Sequence, residues 1–164
     1  MTGTISILVG EKGLKGKEMK VTSKADYALH AMMYIAAVNG KRLCTIDQIS
    51  DSEKIPREYL AKILKELTQK GFLSSWKGVH GGYKLAKPRA QITFLDIVEA
   101  MQGPLALSLC NQGEAVRSGS HRKGQCAAFP FFDELKKKMS RELSGINLGK
   151  LEYEKYYPSL KGKL

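Results

Sequence analysis

What most constrains this chain is a run of punctuated apolar patterns between Thr45 and Pro88. Thr45, with Gln48 three residues on, is a capping-box start for a short helix that carries Ile46 and Ile49 inward and ends near residues 51–53. Pro56, a favoured first-turn residue, opens a longer helix that runs to Lys70, where Gly71 stops it. Leu60, Ile63, Leu64 and Leu67 form its apolar stripe, and Arg57, Lys62, Lys65 and Gln69 lie largely off that stripe. Two short β-type runs, 72–77 and 83–86, then flank the turn Gly78-Val79-His80-Gly81-Gly82 and read as a hairpin that Pro88 closes, with Trp76 and Tyr83 packing it. Ahead of this block the pattern predicts a buried helix over 24–38, with Ser23 as its N-cap, Asp26 as the capping-box acid and Asn39-Gly40 as its stop. Helix, short helix, helix, hairpin is the order of a winged helix-turn-helix, in which the third helix enters the major groove of DNA.

The rest of the chain adds a second layer. Thr93 and Asp96 begin a fourth helix over 94–101, broken by Gly103-Pro104. Residues 110–126 form a polar, Gly/Ser-rich loop bounded by Cys110 and Cys126. A last long helix over about 130–143 carries Phe132, Leu135, Met139 and Leu143, continued by Ile146, as a stripe at helical spacing. An amphipathic helix outside a complete small domain needs a cover. Self-pairing into a homodimer supplies one, and it also matches palindromic DNA. The expected fold is therefore mainly α with a small β-hairpin wing: a winged helix-turn-helix plus a C-terminal dimerisation helix. Residues 1–18 read as a disordered arm or upstream extension, with Met19 a candidate start. Residues 19–90 read as the DNA-binding domain, 91–146 as sensor loop and dimerisation helices, and 147–164 as a polar, flexible tail.

Charge supports a polyanionic partner. The net charge is +11, and residues 19–90 alone hold +7 of it, so the excess falls on the winged-helix segment. A positive surface attracts nucleic-acid phosphates or anionic membrane. Combined with the helix order, it assigns double-stranded DNA to Arg57, Tyr59, Lys62 and Lys65 on the third helix and to Lys77, His80 and Lys84 on the wing. A protein-docking winged helix is the alternative, and it lacks the steep salt dependence of DNA binding. No apolar run approaches the roughly 20 residues that span a bilayer, and residues 1–9 lack the flanks of a secretory signal, so the reading is cytoplasmic with no membrane partner.

The three cysteines, Cys44, Cys110 and Cys126, are too few and too odd in number for a secreted disulfide framework. Cys44 reads as a buried thiol. No oxyanion device, phosphate loop or carboxylate pair accompanies Cys126 and His121, so a thiol or metal hydrolase has little to stand on and the chain reads as a non-enzyme.

Several stretches together resemble the Rrf2 family of regulators, which includes the IscR, NsrR and RsrR types: Thr22-Ser23-Lys24-Ala25-Asp26-Tyr27-Ala28-Leu29, then Tyr59-Leu60, then the wing residues 77–85, then Ile92-Thr93-Phe94-Leu95-Asp96-Ile97-Val98. The resemblance spans residues 19 to about 145. It implies a dimeric winged-helix DNA binder that often senses through an iron–sulfur cluster. The loop departs from the commoner pattern, having two cysteines where cluster-binding members usually have three. Asp26 and His30, spaced i, i+4, are similar to the RsrR branch, where an acidic residue and a histidine at these positions join two loop cysteines around a two-iron cluster. The resemblance thus implies Cys110 and Cys126 from one subunit and Asp26 and His30 from its partner as ligands of a 2Fe-2S cluster sensing redox state or nitric oxide. Imidazole in place of thiolate raises cluster potential, and its titration near neutrality lets electron gain couple to proton gain. A cluster using His121 or Glu114, a zinc site, and a metal-free regulator switched by oxidation of Cys110 or Cys126 are the alternatives.

Overall fold

The computed structural model describes residues 21–38, 42–108 and 126–160. The arm over 1–18 and Cys110, Glu114 and His121 of the loop lie outside the described residues.

Helix α1 (Ser23–Val38) is the centre of the molecule. Ala25, Ala28, Ala31, Met32 and Ala36 have no exposed surface, and Ile35 next to none. A helix apolar on most of its circumference belongs in a core, and its alanines let neighbouring backbones approach closely. α2 (Ile46–Glu53), α3 (Arg57–Gln69) and α4 (Phe94–Gln102) pack on it, and so does the wing strand β2 (Gly82–Leu85).

The start of α1 corrects one expectation. The cap is Thr22, one residue upstream of Ser23: its Oγ1 accepts from the backbone N–H of Ala25 at 3.3 Å, and its carbonyl accepts from the N–H of Asp26 at 2.9 Å. With Thr22 as the cap the capping-box position falls on Ala25 rather than Asp26, and the N–H of Thr22 donates to Gln102 Oε1 at the end of α4, at 3.1 Å. Thr22 and Ser23 are equivalent caps chemically. The tie to α4 goes with the upstream choice, and the Asp26 carboxylate is left without a capping role.

The other two boxes form as expected. Gln48 N–H donates to Thr45 Oγ1 at 3.3 Å and Thr45 N–H to Gln48 Oε1 at 3.1 Å. The corresponding distances for Thr93 and Asp96 are 3.1 and 2.9 Å. Between α2 and α3 the chain turns through Lys54 in the left-handed region (φ 55°), and Ser50 Oγ donates to the carbonyl of Ile55 at 2.7 Å, which fixes the turn. Leu60, Ile63, Leu64 and Leu67 of α3 are all buried, so the stripe read from the sequence is the inner face.

Strands β1 (Leu73–Trp76) and β2 pair antiparallel, with Leu73 opposite Leu85 and Trp76 opposite Gly82. A single bridge ties this wing to the segment before α2: Cys44 and Tyr83 exchange both backbone hydrogen bonds at 2.9 Å. Gly82 is required there, because a Cβ would come within 2.7 Å of the Cys44 carbonyl oxygen.

Helix α5 (Phe129–Gly145) leans on α4, yet none of its residues is buried within the chain. Phe132, Leu135, Met139 and Leu143 are half-buried, and Phe131 is 66% exposed.

The C-terminal segment corrects a second expectation. Residues 147–160 are not a loose tail. Asn147 bridges Thr93, Leu148 N–H donates to the Ile92 carbonyl at 3.0 Å, and a short helix α6 (Tyr153–Tyr156) follows. Leu148 has no exposed surface, Tyr153 and Leu160 are buried with it, and the Tyr153 hydroxyl donates to the Leu148 carbonyl at 2.7 Å. The anchoring apolar residues are spread irregularly among charged ones, so no period marks them. Leu148→Ala is expected to cost about 2–5 kcal/mol, the range for truncating a buried leucine. Urea denaturation checks this, and a loss under 1 kcal/mol would mean that the segment is not part of the folding unit.

Candidate nucleic-acid interface and sensor site

The outer face of α3 is polar and exposed. Arg57, Tyr59, Lys62 and Lys65 all lie at the surface, opposite the buried stripe. Arg57 Nε pairs with Asp47 of α2; both side chains are more than 60% exposed, so the pair is weak and Arg57 is available to a stronger anionic partner. Tyr59 meets Tyr27 of α1 edge-on, with centroids 5.8 Å apart, which props the ring at the N-terminal end of α3. On the wing Lys77 and His80 are exposed. Lys84 is half-buried, and its Nζ sits 5.3 Å above the Trp76 ring, a cation–π contact that stiffens the strand pair. A wide cationic and hydrogen-bonding surface is thus carried on one helix and one hairpin, both fixed to the same core.

Asp26 and His30 lie one turn apart on α1, each about half-exposed, with His30 Nε2 3.8 Å from Asp26 Oδ1. The other ring nitrogen, Nδ1, is 3.2 Å from Oε2 of Glu53, at the end of α2. This region borders a cavity of about 530 Å³, lined among others by His30, Met33, Glu53, Phe94, Tyr153 and Tyr157. Glu53 and Tyr157 are neighbours that sequence reasoning missed. They lie 23 residues and more from His30, and no local pattern connects them.

Cys126 is half-buried just before α5, where its carbonyl accepts from the N–H of Phe129 at 3.0 Å. Among the described residues no group of three or more His, Cys, Asp or Glu side chains is placed to hold a metal ion, and of the expected ligands among them Asp26 and His30 lie together. That pair suits one side of a metal site: a carboxylate and an imidazole on one helix face, reachable from solvent, with the second imidazole nitrogen already held.

Cys44 has a different character. It is 1% exposed, and burial pushes its thiol up to about 11, partly offset by the Arg42 guanidinium. Burial also raises the Tyr153 phenol to about 12. A thiol whose ionisation is suppressed only in the folded state stabilises the fold fully below its unfolded pKa, near 9, and that stabilisation is lost as pH rises through 11. The loss from Cys44 is on the order of 2–3 kcal/mol. Cys44→Ala is therefore expected to keep more of its pH 8 stability at pH 10.5 than the native chain does. Parallel denaturation curves for the two proteins at both pH values would remove this account of Cys44.

A helical core that presents one polar helix beside a two-strand wing is a winged-helix fold. The sequence matches the model of the Rrf2 family, described as "Iron-dependent Transcriptional regulator", over residues 21–154, and the chain belongs to that family, whose members regulate transcription by binding DNA and are not enzymes. Solved structures share the fold. CymR (YrzC), the global cysteine regulator of B. subtilis, superposes with a TM-score of 0.65 at 20% identity, over 80% of this chain and 95% of that one. IscR of T. potens gives 0.61 at 24% identity, over 79% and 83%. The oxidized form of Staphylococcus aureus CymR gives 0.63 at 22%, over 79% and 93%. At these identities the likeness is one of fold. No helix among the described residues is long and apolar enough to cross a membrane.

Proposed function

We propose that this chain is a homodimeric, cytoplasmic DNA-binding regulator that reads an operator with α3 and the wing. It senses redox state or nitric oxide through a 2Fe-2S cluster held by Cys110 and Cys126 of one subunit and Asp26 and His30 of the other. The observation that carries the sensor is the state of Asp26 and His30. The carboxylate has no capping role, and the imidazole has Nδ1 engaged and Nε2 turned toward that carboxylate. A bound cluster would supply one-electron chemistry. The chain's own part is to present a carboxylate–imidazole donor pair on α1, the helix against which α2 and α3 both pack. A change in ligation at Asp26 and His30 then bears on the base of the recognition helix, a small displacement of the kind that switches packed assemblies.

The inter-subunit arrangement has a direct test. A heterodimer is made from one chain with both Cys110 and Cys126 changed to Ala and a second chain with both Asp26 and His30 changed to Ala. One wild-type site is expected per heterodimer, because the intact cysteines face the intact pair. Homodimers of either variant should show no wild-type spectrum. A heterodimer that also lacks it would place all four ligands within one chain or reject the ligand set.

A second reading is a regulator of the same fold switched by oxidation of Cys126 or Cys110, supported by the half-exposed Cys126 and by the likeness to CymR in its oxidized form. It predicts that iron-free protein binds DNA and that peroxide alone changes that binding.

For the DNA surface, Arg57→Ala is expected to weaken operator binding by about 10- to 100-fold and to relax preference at one base position. Lys77→Ala should weaken all sequences alike and flatten the dependence on salt. Fluorescence anisotropy over a salt series reads both. Unchanged affinity in both variants would move the interface away from α3 and the wing.

A further inference from the structure

His30 is held by a residue far from it in sequence. Glu53 ends α2, its side chain is only 8% exposed, and its Oε2 lies 3.2 Å from His30 Nδ1. The other carboxylate oxygen, Oε1, accepts from Ser52 Oγ at 2.9 Å. The Tyr157 phenol faces Glu53, and burial together with this carboxylate pushes the phenol far above its usual range. Tyr157 is in turn braced edge-on against Tyr34 of α1, centroids 6.0 Å apart. The carboxylate is therefore held by the Ser52 hydroxyl, with the Tyr157 phenol beside it, before it meets the imidazole.

An ionised carboxylate can only accept, so a neutral imidazole facing it must carry its proton on Nδ1. The lone pair then sits on Nε2, the nitrogen on the Asp26 side. We infer that Glu53 is a positioning residue that locks His30 in the Nδ1–H tautomer and aims Nε2, beside the Asp26 carboxylate, at a transition-metal cation. Metal-binding histidines generally owe their tautomer and orientation to such a partner, and losing it typically weakens metal retention about 10- to 100-fold. Glu53 is also followed directly by the left-handed Lys54 and the turn that leads into α3, so the group that orients His30 is three positions from Pro56, the cap of the recognition helix. This inference rests on the reading of Asp26 and His30 as ligands.

The test separates the two. Imidazole ¹⁵N shifts of His30 are recorded on metal-free, full-length dimer at pH about 8.5, where an ordinary histidine is neutral, with His30→Gln providing the assignment. The native protein is expected to show the Nδ1–H pattern. Glu53→Gln, which keeps a carbonyl acceptor, should retain it, and Glu53→Ala should shift His30 toward the Nε2–H form favoured by free side chains in water. Reconstituted with ferrous iron and sulfide, Glu53→Ala should lose its iron to a chelator about 10- to 100-fold faster than the native chain, and Glu53→Gln should stay close to native. An Nε2–H pattern in the native protein, or one that Glu53→Ala leaves unchanged, overturns the positioning role whatever the iron content. The Nδ1–H pattern in a protein that never takes up iron overturns the ligand reading and leaves Glu53 as the residue that orients His30.

Discussion

Cys126→Ala is expected to abolish the chromophore of anaerobically reconstituted protein and to reduce bound iron to background. Thiolates are the strong anchors of an iron–sulfur site, and with two loop cysteines in the sequence there is no third to replace one. Cys126 is half-buried immediately before α5, so the substitution removes a side chain without opening the core, and the melting curve should barely move. Cys110→Ala should behave in the same way. His30→Ala and Asp26→Ala should be milder, giving labile or spectrally shifted species, because imidazole and carboxylate exchange more readily. Iron content and visible spectra of the four variants check this ordering. A native spectrum in both cysteine variants would reject Cys110 and Cys126 as the anchors of the chromophore.

Replacing Leu135 and Met139 together by Glu should dissociate the dimer. Neither residue is buried within the chain, although both belong to a stripe at helical spacing on α5. In a two-fold interface each substitution occurs twice, and each buried, unpaired carboxylate costs several kcal/mol. A rise in the dimer Kd of about a thousandfold or more corresponds to about 4 kcal/mol. Affinity for a palindromic operator should fall with it, since two half-sites are then no longer read by one particle. Sedimentation gives the answer, and an intact dimer at micromolar concentration would place the interface on another face.

The parts of this fold that were legible in the sequence carry local chemistry. Thr45 with Gln48 and Thr93 with Asp96 announced two helix starts, Gly71 a helix end, and the glycine-rich turn a hairpin, because each feature satisfies backbone groups within a few residues of itself. The α3 stripe was legible because burial on one side of a helix imposes a period. Where two local solutions are equal, as with Thr22 and Ser23, the tie was broken by Gln102, eighty residues away, and no local rule reaches it. The 148–160 segment was misjudged for a related reason. Leu148, Tyr153 and Leu160 dock singly on a core already built by other elements, so they show neither the helical nor the strand period. Around the proposed ligand pair the sequence offered Asp26 and His30 by their spacing, but the contact of Glu53 with His30, and of Tyr157 with Glu53, exists only in three dimensions.

The iron and acid-labile sulfide content of native protein purified and kept anaerobic, with its visible spectrum, tests the cluster most directly. Two irons and two sulfides per chain, with a red-brown spectrum shifted from the all-cysteine form, is the predicted result. A colourless protein that stays iron-free after anaerobic reconstitution, yet binds DNA in a salt-dependent way, would contradict it and leave an Rrf2-family regulator switched through its cysteine thiols.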